Sequence, residues 1–483
     1  MLNQSDLPVS VPPARGGPLV GLADPATFPT TIVDALPALL VGLLERRYLT
    51  DLGLEGWQVA PRAGDSARPL LREIVGLGRP ASVEEWGKAM PHVLTACHDP
   101  GHALIMVLHG DGARHRLYLG GRRVLGAAAR STEDYLESQD SAFKAYCTGL
   151  TTGPLAALDG HELPELARLL RTAPAHGALV GIPSGRGGAR PGEFQSLDRL
   201  VRAVGNQRYA LIVVAEPVDP FQIDSAVDAG RRLLSEVHAS VRQNVTRSRG
   251  ENQGASQADP TDGADYGKSM YLYGLAAFCQ VAGLVVPGLG AVGEVMRGMP
   301  SVLSSAGQMM MSRSMRDEAR KGRQVSSGSN WSESASAELM NYNAVASEEI
   351  LQKHLHRLAT GRSSGWWRTV MYLAAESDGT LSRVEGSLRG IGSGDASTLE
   401  PLRLVRLPEH VAREAIERGQ VLGLRPANPA VSGHPLGETY DAVASCITSD
   451  ELATVVNLPQ AEIPGLPMRD LAEFAVSVPA PAE

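Results

Sequence analysis

Three histidines and one cysteine within an eleven-residue stretch come closest to forming a metal site: His92, Cys97, His98 and His102. Zinc takes four nitrogen or sulfur ligands in a tetrahedron, commonly from two closely spaced pairs. Here all four residues come from one stretch and no second pair follows, which favours turn or surface side chains. The alternative hypothesis is a metal-dependent or hydrolytic enzyme that uses this cluster, with Asp99 beside it.

A standard phosphate-binding loop is absent from the sequence. The nearest approach is Gly263–Ser269, which is one residue short between its glycines and contains Asp265, a carboxylate that would repel phosphate. The apolar run Leu211–Glu216 ends in a carboxylate, as nucleotide-hydrolysis strands do, but without the loop this is interpreted as the end of a strand. The sequence therefore favours a protein that is not an enzyme, with no catalytic residue and no cofactor.

The segment Ser269–Gly293 contains no charged residue and is long enough to cross a bilayer of ~30 Å. Its candidate residues for membrane contact or packing are Tyr271 and Tyr273, which lie near one end as interfacial aromatic residues often do, and the apolar Leu284, Val285 and Val286. Gln280, Pro287 and several glycines dilute its hydropathy. Two interpretations stay open, a membrane span and a helical hairpin packed on the protein or on a neighbouring subunit.

The elements that must position these residues alternate between strands and helices. The expected strands are Leu104–His109, His115–Gly120, Ala178–Pro183, Tyr209–Glu216 and Trp366–Ala375, the first two forming a hairpin around Gly110–Gly112. The expected helices are Ser196–Val204, Gln222–Arg247, Ala335–Thr360, Thr380–Gly390 and Glu409–Arg418. This order predicts an α/β (α+β) fold, in which helices pack on a mixed sheet and a flexible, partly apolar helical insertion interrupts the domain.

The predicted organisation has five parts. They are an N-terminal arm and helical region (1–95), a first part of the α/β domain (96–245), a flexible insertion with the apolar segment 269–293 (246–335), a second part of the α/β domain (336–448) and a C-terminal linker or docking segment (449–483). Polar, Gly/Ser-rich sequence on both sides of the apolar segment sets the limits of the insertion.

The net charge and the cysteine content of the chain limit which partners and which cellular compartment are expected. The chain carries a formal net charge of −8, so no global basic charge points to nucleic acid. A nucleic-acid-binding module using Arg242, Arg247 and Arg249, expected near a helix end, remains a further alternative. The four cysteines lie far apart, which predicts a reducing, cytoplasmic location, with inner-membrane association if the apolar segment inserts.

Three stretches, in chain order, carry a resemblance to a known group of proteins. They are Gly177–Pro217 (GALVGIPSG, SLDRLVRAV, YALIVVAEP), Ile350–Ala375 (HLHRLATGRSSGWWRTVMYLAA within it) and Ser449–Val476 (SDELATVVNLPQAEIPGLPMRDLAEFAV). Together they resemble the amino-terminal, non-motor region of bacterial ATP-binding proteins of the FtsK/HerA type, which are related to conjugative-transfer ATPases. The resemblance implies a motor domain that carries the phosphate loop, and this sequence contains none.

The resemblance therefore implies an accessory or scaffold subunit that acts with a separately encoded ATPase, as a homo-oligomer or at a membrane. The C-terminal stretch contains an apolar series: Leu458, Ile463, Leu466, Leu471 and Phe474. Such a series either folds back on the core of the chain or docks on a partner. Asp450 is expected to cap a short helix at the start of this stretch.

Overall fold

The computed structural model describes residues 57–59, 68–79, 83–124, 130–158, 161–185, 197–239, 241–249, 333–340, 342–422, 424–426 and 443–470. The apolar-segment residues Tyr271, Tyr273, Leu284, Val285 and Val286 lie outside these ranges. Within the ranges, no helix combines the length and the apolar character needed to cross a bilayer.

The elements up to residue 249 alternate between strands and helices. In chain order they are β1 (Trp57–Val59), β2 (Leu70–Gly78), α1 (Val83–Ala96), β3 (His102–Asp111), β4 (His115–Arg123), α2 (Thr132–Tyr146), β5 (Thr151–Ala157), α3 (Pro164–Thr172), β6 (Ala175–Val180), α4 (Leu197–Val204), β7 (Arg208–Pro217), α5 (Pro220–Ala239) and β8 (Arg242–Arg249).

The elements from residue 333 onward continue the alternation. They are β9 (Glu333–Met340), α6 (Tyr342–Ser364), β10 (Trp366–Ala375), α7 (Asp378–Gly392), a 3₁₀ turn (Ala396–Thr398), β11 (Arg403–Arg406), α8 (Glu409–Glu417), β12 (Leu424–Pro426), β13 (Ser445–Thr448), α9 (Ser449–Leu452) and β14 (Met468–Arg469).

Ten strands form one sheet whose main path runs β11-β6-β10-β7-β3-β4-β2-β14, with β13 also paired to β10 and β5 to β2. Its pairs are antiparallel except β14 with β2, which is parallel. Strand β10 lies between β6 and β7, so that Met371 is paired with Leu179 on one side and with Val213 on the other. Sequence from both sides of the insertion thus shares one sheet.

Side chains alternate between the two faces of the central strands, and helices cover both faces. On β3, Leu104, Met106 and Leu108 belong to a core shared with α1, α2, α4 and α7. Ile105 and Val107 point to the opposite core, which α3 and α8 cover. A third cluster lies between α5 and α6 and includes Trp366. The predicted fold class, an α/β arrangement with helices packed on a mixed sheet, is confirmed.

Two helix predictions are wrong, and both errors have the same cause. The helix expected over Gln222–Arg247 ends at Ala239, and Arg242–Arg249 is a strand. The helix expected from Ala335 begins at Tyr342 and follows a strand, β9. Strands β8 and β9 pair antiparallel from Arg242 opposite Met340 to Arg249 opposite Glu333. Because each strand depends on a partner about ninety residues away, local periodicity does not reveal it.

The expected arm and helical region at residues 1–95 also contains a strand of the main sheet, β2, which pairs with β4 and β5. At the other end of the chain, α9 is capped by Thr448 and not by Asp450. The Thr448 side chain accepts the N–H of Glu451, and the Glu451 carboxylate accepts the N–H of Thr448. This reciprocal capping fixes the entry of the C-terminal stretch into the core.

Candidate functional site

The three histidines among the metal-ligand candidates each contact a different neighbour. His92 is exposed and stacks on Tyr146, with ring centroids 6.2 Å apart. His98 Nε2 lies 3.1 Å from the carbonyl oxygen of Trp366. His102 is buried and stacks on Tyr135, with centroids 4.6 Å apart.

Cys97 is buried at the end of α1, and burial raises the pKa of its thiol to about 12. The Cys97 side chain is therefore a neutral thiol at pH 7. Among the residues that the structure describes, no three His, Cys, Asp or Glu side chains are placed to hold a metal ion together.

Three of the five docking candidates are part of the core of the chain itself. Leu458, Ile463 and Leu466 are 3%, 3% and 1% exposed and pack in the cluster that β3 and β4 line. The N–H of His115 donates to the carbonyl of Pro464 at 2.6 Å, which ties the stretch to β4. These three side chains therefore fold back and offer no surface to a partner. Leu471 and Phe474 lie outside the described residues.

The arginines considered for nucleic-acid binding, Arg242, Arg247 and Arg249, lie on strand β8 and not at a helix end. The helix expected there ends at Ala239, because the chain pairs with β9 from Arg242 onward.

Gly361–Gly365 has the Gly-x-Ser-x-Gly spacing of a nucleophile elbow. The structure places it in the last turn of α6, just before β10, whereas an elbow connects a strand to a following helix. Ser363 is exposed, and its Oγ donates to the carbonyl of Thr360 at 2.8 Å. This geometry assigns Ser363 to the end of a helix and not to an elbow.

A buried carboxylate at the end of β7 joins two arginines. Glu216 is 1% exposed, with Arg122 Nη2 2.6 Å from its Oε1 and Arg368 Nη2 2.5 Å from its Oε2. Arg122 also donates to the carbonyl of Gly419 at 2.5 Å, and the N–H of Val421 lies 3.3 Å from Glu216 Oε1. The sequence predicted only that Glu216 lies at the end of a strand, and the structure adds that it holds the turn after α8 against the sheet.

A polar cavity of about 190 Å³ lies where β3, β7, α3 and the start of α7 meet. Seven polar side chains line it: His109, Asp111, Glu165, Arg168, Thr172, Arg208 and Glu376. The sheet order brings them together, because Asp111 on β3 is paired with Arg208 on β7 and the N–H of Glu376 donates to the carbonyl of Arg208 at 3.1 Å. We call this site the polar cavity.

His109 is the buried member of the polar cavity. It is 2% exposed, and its Nδ1 has no hydrogen-bond partner among the described residues. Burial lowers the pKa of His109 to about 4, partly opposed by Asp111, so the ring is neutral at pH 7. In the sequence, His109 is a single histidine directly after the apolar run Leu104–Leu108, and it was interpreted only as the last residue of a strand. Arg168, Arg208 and Glu376 carried no such signal.

No protein-family model matches the chain, and a search of curated proteins finds no match.

Proposed function

We propose that this chain is a non-enzymatic accessory or scaffold subunit that acts with a separate FtsK/HerA-like translocation ATPase. The observation that carries the proposal is that the described parts of the three resembling stretches meet in one core. Gly177–Pro217 supplies most of β6 and all of α4 and β7. Ile350–Ala375 supplies much of α6 and all of β10, and the stretch from Ser449 supplies α9 and β14.

The contacts between these stretches are direct. Tyr372 on β10 is paired with Ala178 on β6 and with Ile212 on β7. Trp367 Nε1 donates to Ser449 Oγ at 2.9 Å, which joins the second stretch to the third. Sequence blocks that are far apart in the chain but adjacent in space are expected when a resemblance follows a shared domain core. This adjacency supports the resemblance as the basis of the function.

The position of β14 directs the docking part of the proposal. Met468–Arg469 lies beside β2 in the parallel pair, and Arg469 and Asp470 are exposed. With Leu458, Ile463 and Leu466 buried in the core, we assign docking to the apolar residues that follow, Leu471 and Phe474. Self-association and membrane attachment through residues 269–293 are further parts of the proposal.

Co-purification tests the docking assignment. The chain is co-expressed with each FtsK/HerA-type ATPase encoded in its source genome, and capture is compared between the wild type and the double variant Leu471→Asp/Phe474→Asp. A matched control is Val75→Asp, an apolar-to-acidic change at an exposed position of β2. We expect capture of one such ATPase by the wild type and the control and its loss in the double variant. Equal capture of an ATPase by all three proteins would contradict the docking assignment. If the wild type captures none of the ATPases, the proposed ATPase partner is wrong.

Three measurements on the purified chain test the non-enzymatic assignment. Calorimetry with ATP and Mg²⁺ should show no binding, and a phosphate-release assay should show no hydrolysis above a buffer blank. Elemental analysis should find no stoichiometric zinc or iron. Tight ATP binding would overturn the assignment, and a stoichiometric metal lost on changing His98 and His102 to Gln would favour the enzyme that uses the histidine cluster.

A further inference from the structure

Strands β8 and β9 form a two-stranded ribbon that is separate from the ten-stranded sheet. They pair over eight positions, from Arg242 opposite Met340 to Arg249 opposite Glu333. The ribbon directly continues the helices α5 and α6. A two-stranded ribbon alone is marginally stable in water, and three or more strands with a hydrophobic face, or packing against a helix, are needed for independent stability. A further strand on the ribbon would therefore stabilise it.

The two outer edges of the ribbon differ in charge. Among the described strands, β8 pairs with β9 alone and β9 with β8 alone, so each presents one edge to which another strand can pair. Strand β8 contains three arginines and no acidic residue, whereas β9 contains two glutamates and no basic residue. Like charges opposite each other across strands are destabilising, and opposite charges are stabilising. The β8 edge therefore complements the β9 edge of a second copy of the chain.

Within one chain, the register uses only part of this complementarity. Glu333 lies opposite Arg249, whereas Glu338 lies opposite Asn244. The other two arginines of β8 lie opposite uncharged residues of β9. Only one of the two glutamates thus has an arginine directly opposite it in the ribbon of its own chain.

A pairing between two chains can match both glutamates at once. When β8 of one copy lies antiparallel to β9 of the next, and the register is shifted by two residues from that within the chain, Arg242 is opposite Glu338 and Arg247 is opposite Glu333. A shift by an even number of residues preserves the alternation of backbone groups on which antiparallel pairing depends. The positions of the charges therefore favour one register between copies.

The same shift has a geometric consequence. Repeated from copy to copy, it gives a stagger of about 6.7 Å for every two strands spaced about 4.8 Å apart, which inclines the strands by about 35°. Strands in closed barrels are tilted by roughly 35–45° from the barrel axis. A head-to-tail contact of this kind forms a ring when its rotation closes. The register that matches the charges is thus also compatible with closure.

We propose that the β8 edge of one copy pairs with the β9 edge of the next, so that the ribbons of several copies form one closed intermolecular sheet. This inference assigns a surface to the self-association in the proposed function and rests on that part of it alone. The docking assignment to an ATPase uses other residues, so that either can fail without the other.

Cysteine cross-linking of the full chain tests the pairing, in a Cys279→Ser background because the other three cysteines are buried. Asn244→Cys/Ser336→Cys places two cysteines directly opposite each other only between copies, so mild oxidation should give a ladder of covalent multimers. Thr246→Cys/Ser336→Cys is the matched control, because these positions are opposite within one chain and the product should keep the size of a monomer. Directly opposite residues lie within disulfide range, and diagonal ones do not.

Charge exchange tests the register through a second measurement, the oligomer mass from size-exclusion chromatography with light scattering. Arg242→Glu and Glu338→Arg should each shift the wild-type multimer toward the monomer, because each places like charges opposite each other. The two changes combined in one chain should restore the multimer. Arg231→Glu, the same change at an exposed position of α5, is the control and should leave the mass unchanged.

Three results would each overturn the inference. They are a monomeric wild-type chain, a multimer ladder from Asn244→Cys/Ser336→Cys no stronger than that from its control, and a combined charge exchange as monomeric as the single changes. A monomeric wild type that still captures an ATPase would refute the ribbon pairing and leave the proposed partnership in place. Circular dichroism of every variant separates loss of assembly from loss of fold.

Discussion

Arg357 on α6 and Glu451 on α9 form a buried two-bond ion pair, with Nε 2.7 Å from Oε1 and Nη2 2.8 Å from Oε2. Arg357 also donates to the carbonyl of Cys446 at 2.8 Å, and its guanidinium carbon lies 5.1 Å from the ring centroid of Trp366. Glu451 at the same time accepts the N–H of Thr448. The pair therefore connects a long helix, a central strand and the C-terminal stretch at one point.

Removing the cation of this pair should strongly destabilise the protein. Arg357→Met leaves the Glu451 carboxylate buried without its partner, and breaking a buried pair from one side costs about 3–5 kcal/mol. We expect a loss of this size in the free energy of unfolding, measured by urea denaturation followed by circular dichroism.

The control for this change lies on the same helix. Lys353 pairs with Glu349 on the exposed face of α6, so Lys353→Met should leave the unfolding midpoint nearly unchanged. The double variant Arg357→Met/Glu451→Met should recover part of the loss, because it leaves no buried charge unpaired. An Arg357→Met protein as stable as the wild type would show that the pair contributes nothing to the fold.

The two arginines that pair with Glu216 should contribute unequally to the free energy of unfolding. Arg122 is 1% exposed and also holds the carbonyl of Gly419, whereas the Arg368 side chain is 27% exposed. Water can therefore replace part of the Arg368 contact but little of the Arg122 contact. We expect Arg122→Met to lower the free energy of unfolding by about 3 kcal/mol or more, and Arg368→Met by clearly less.

Hydrogen exchange separates this effect from a general loss of stability. Arg122→Met should speed exchange at the turn that contains Val421, whose N–H faces Glu216, more than it does in the centre of β7. Equal losses from Arg122→Met and Arg368→Met would contradict the ranking.

Sequence patterns were most reliable where burial is complete. The run Tyr209–Glu216 reads as a strand buried on both faces, and it is the middle of β7 between β3 and β10. The hairpin around Gly110–Gly112 was also visible, because Gly112 has φ +96 and the Asp111 carboxylate accepts the next N–H groups. In both places the local sequence and the tertiary environment favour the same conformation.

The polar cavity was not predictable in this way. Its charged lining comes from β3, α3, β7 and the residue after β10. Strands β3 and β10 are brought together because each pairs with one edge of β7. Arg168 and Arg208 resemble any solvent-exposed arginine in sequence. Strand order, which decides their proximity, depends on long-range pairing and not on the periodicity of one segment.

Because the C-terminal stretch packs on the core, truncating one of its buried side chains should strongly destabilise the protein. Leu466 is 1% exposed, so Leu466→Ala should create a cavity and lower the free energy of unfolding by about 2–5 kcal/mol. Val75→Ala, at an exposed apolar position, should change it little. Urea denaturation measures both, and a Leu466→Ala protein with unchanged stability would mean that the stretch does not pack on the core in solution.

Two buried histidines predict how stability depends on pH. Burial lowers the pKa of His109 to about 4 and that of His354 to about 3, the latter with a further lowering by Arg357. Asp111 raises the pKa of His109, while Arg116, His115 and Arg168 lower it. An unfolded histidine titrates near about 6.5, so between that pH and the folded pKa the unfolded chain binds more protons than the folded one.

The stability that these two neutral histidines contribute is therefore fully present above about pH 6.5. It is lost as the pH falls toward their pKa values in the folded protein. Between pH 6 and pH 4.5, the unfolded chain binds nearly one more proton at each of these histidines than the folded chain does. Each histidine should therefore lower the free energy of unfolding by up to about 1.4 kcal/mol for each pH unit of acidification. Urea denaturation at several pH values should show a shallower decline for His109→Gln and His354→Gln than for the wild type. His92→Gln, at an exposed position, is the control and should keep the wild-type slope. Parallel declines for all four proteins would show that neither buried ring is held neutral by the fold.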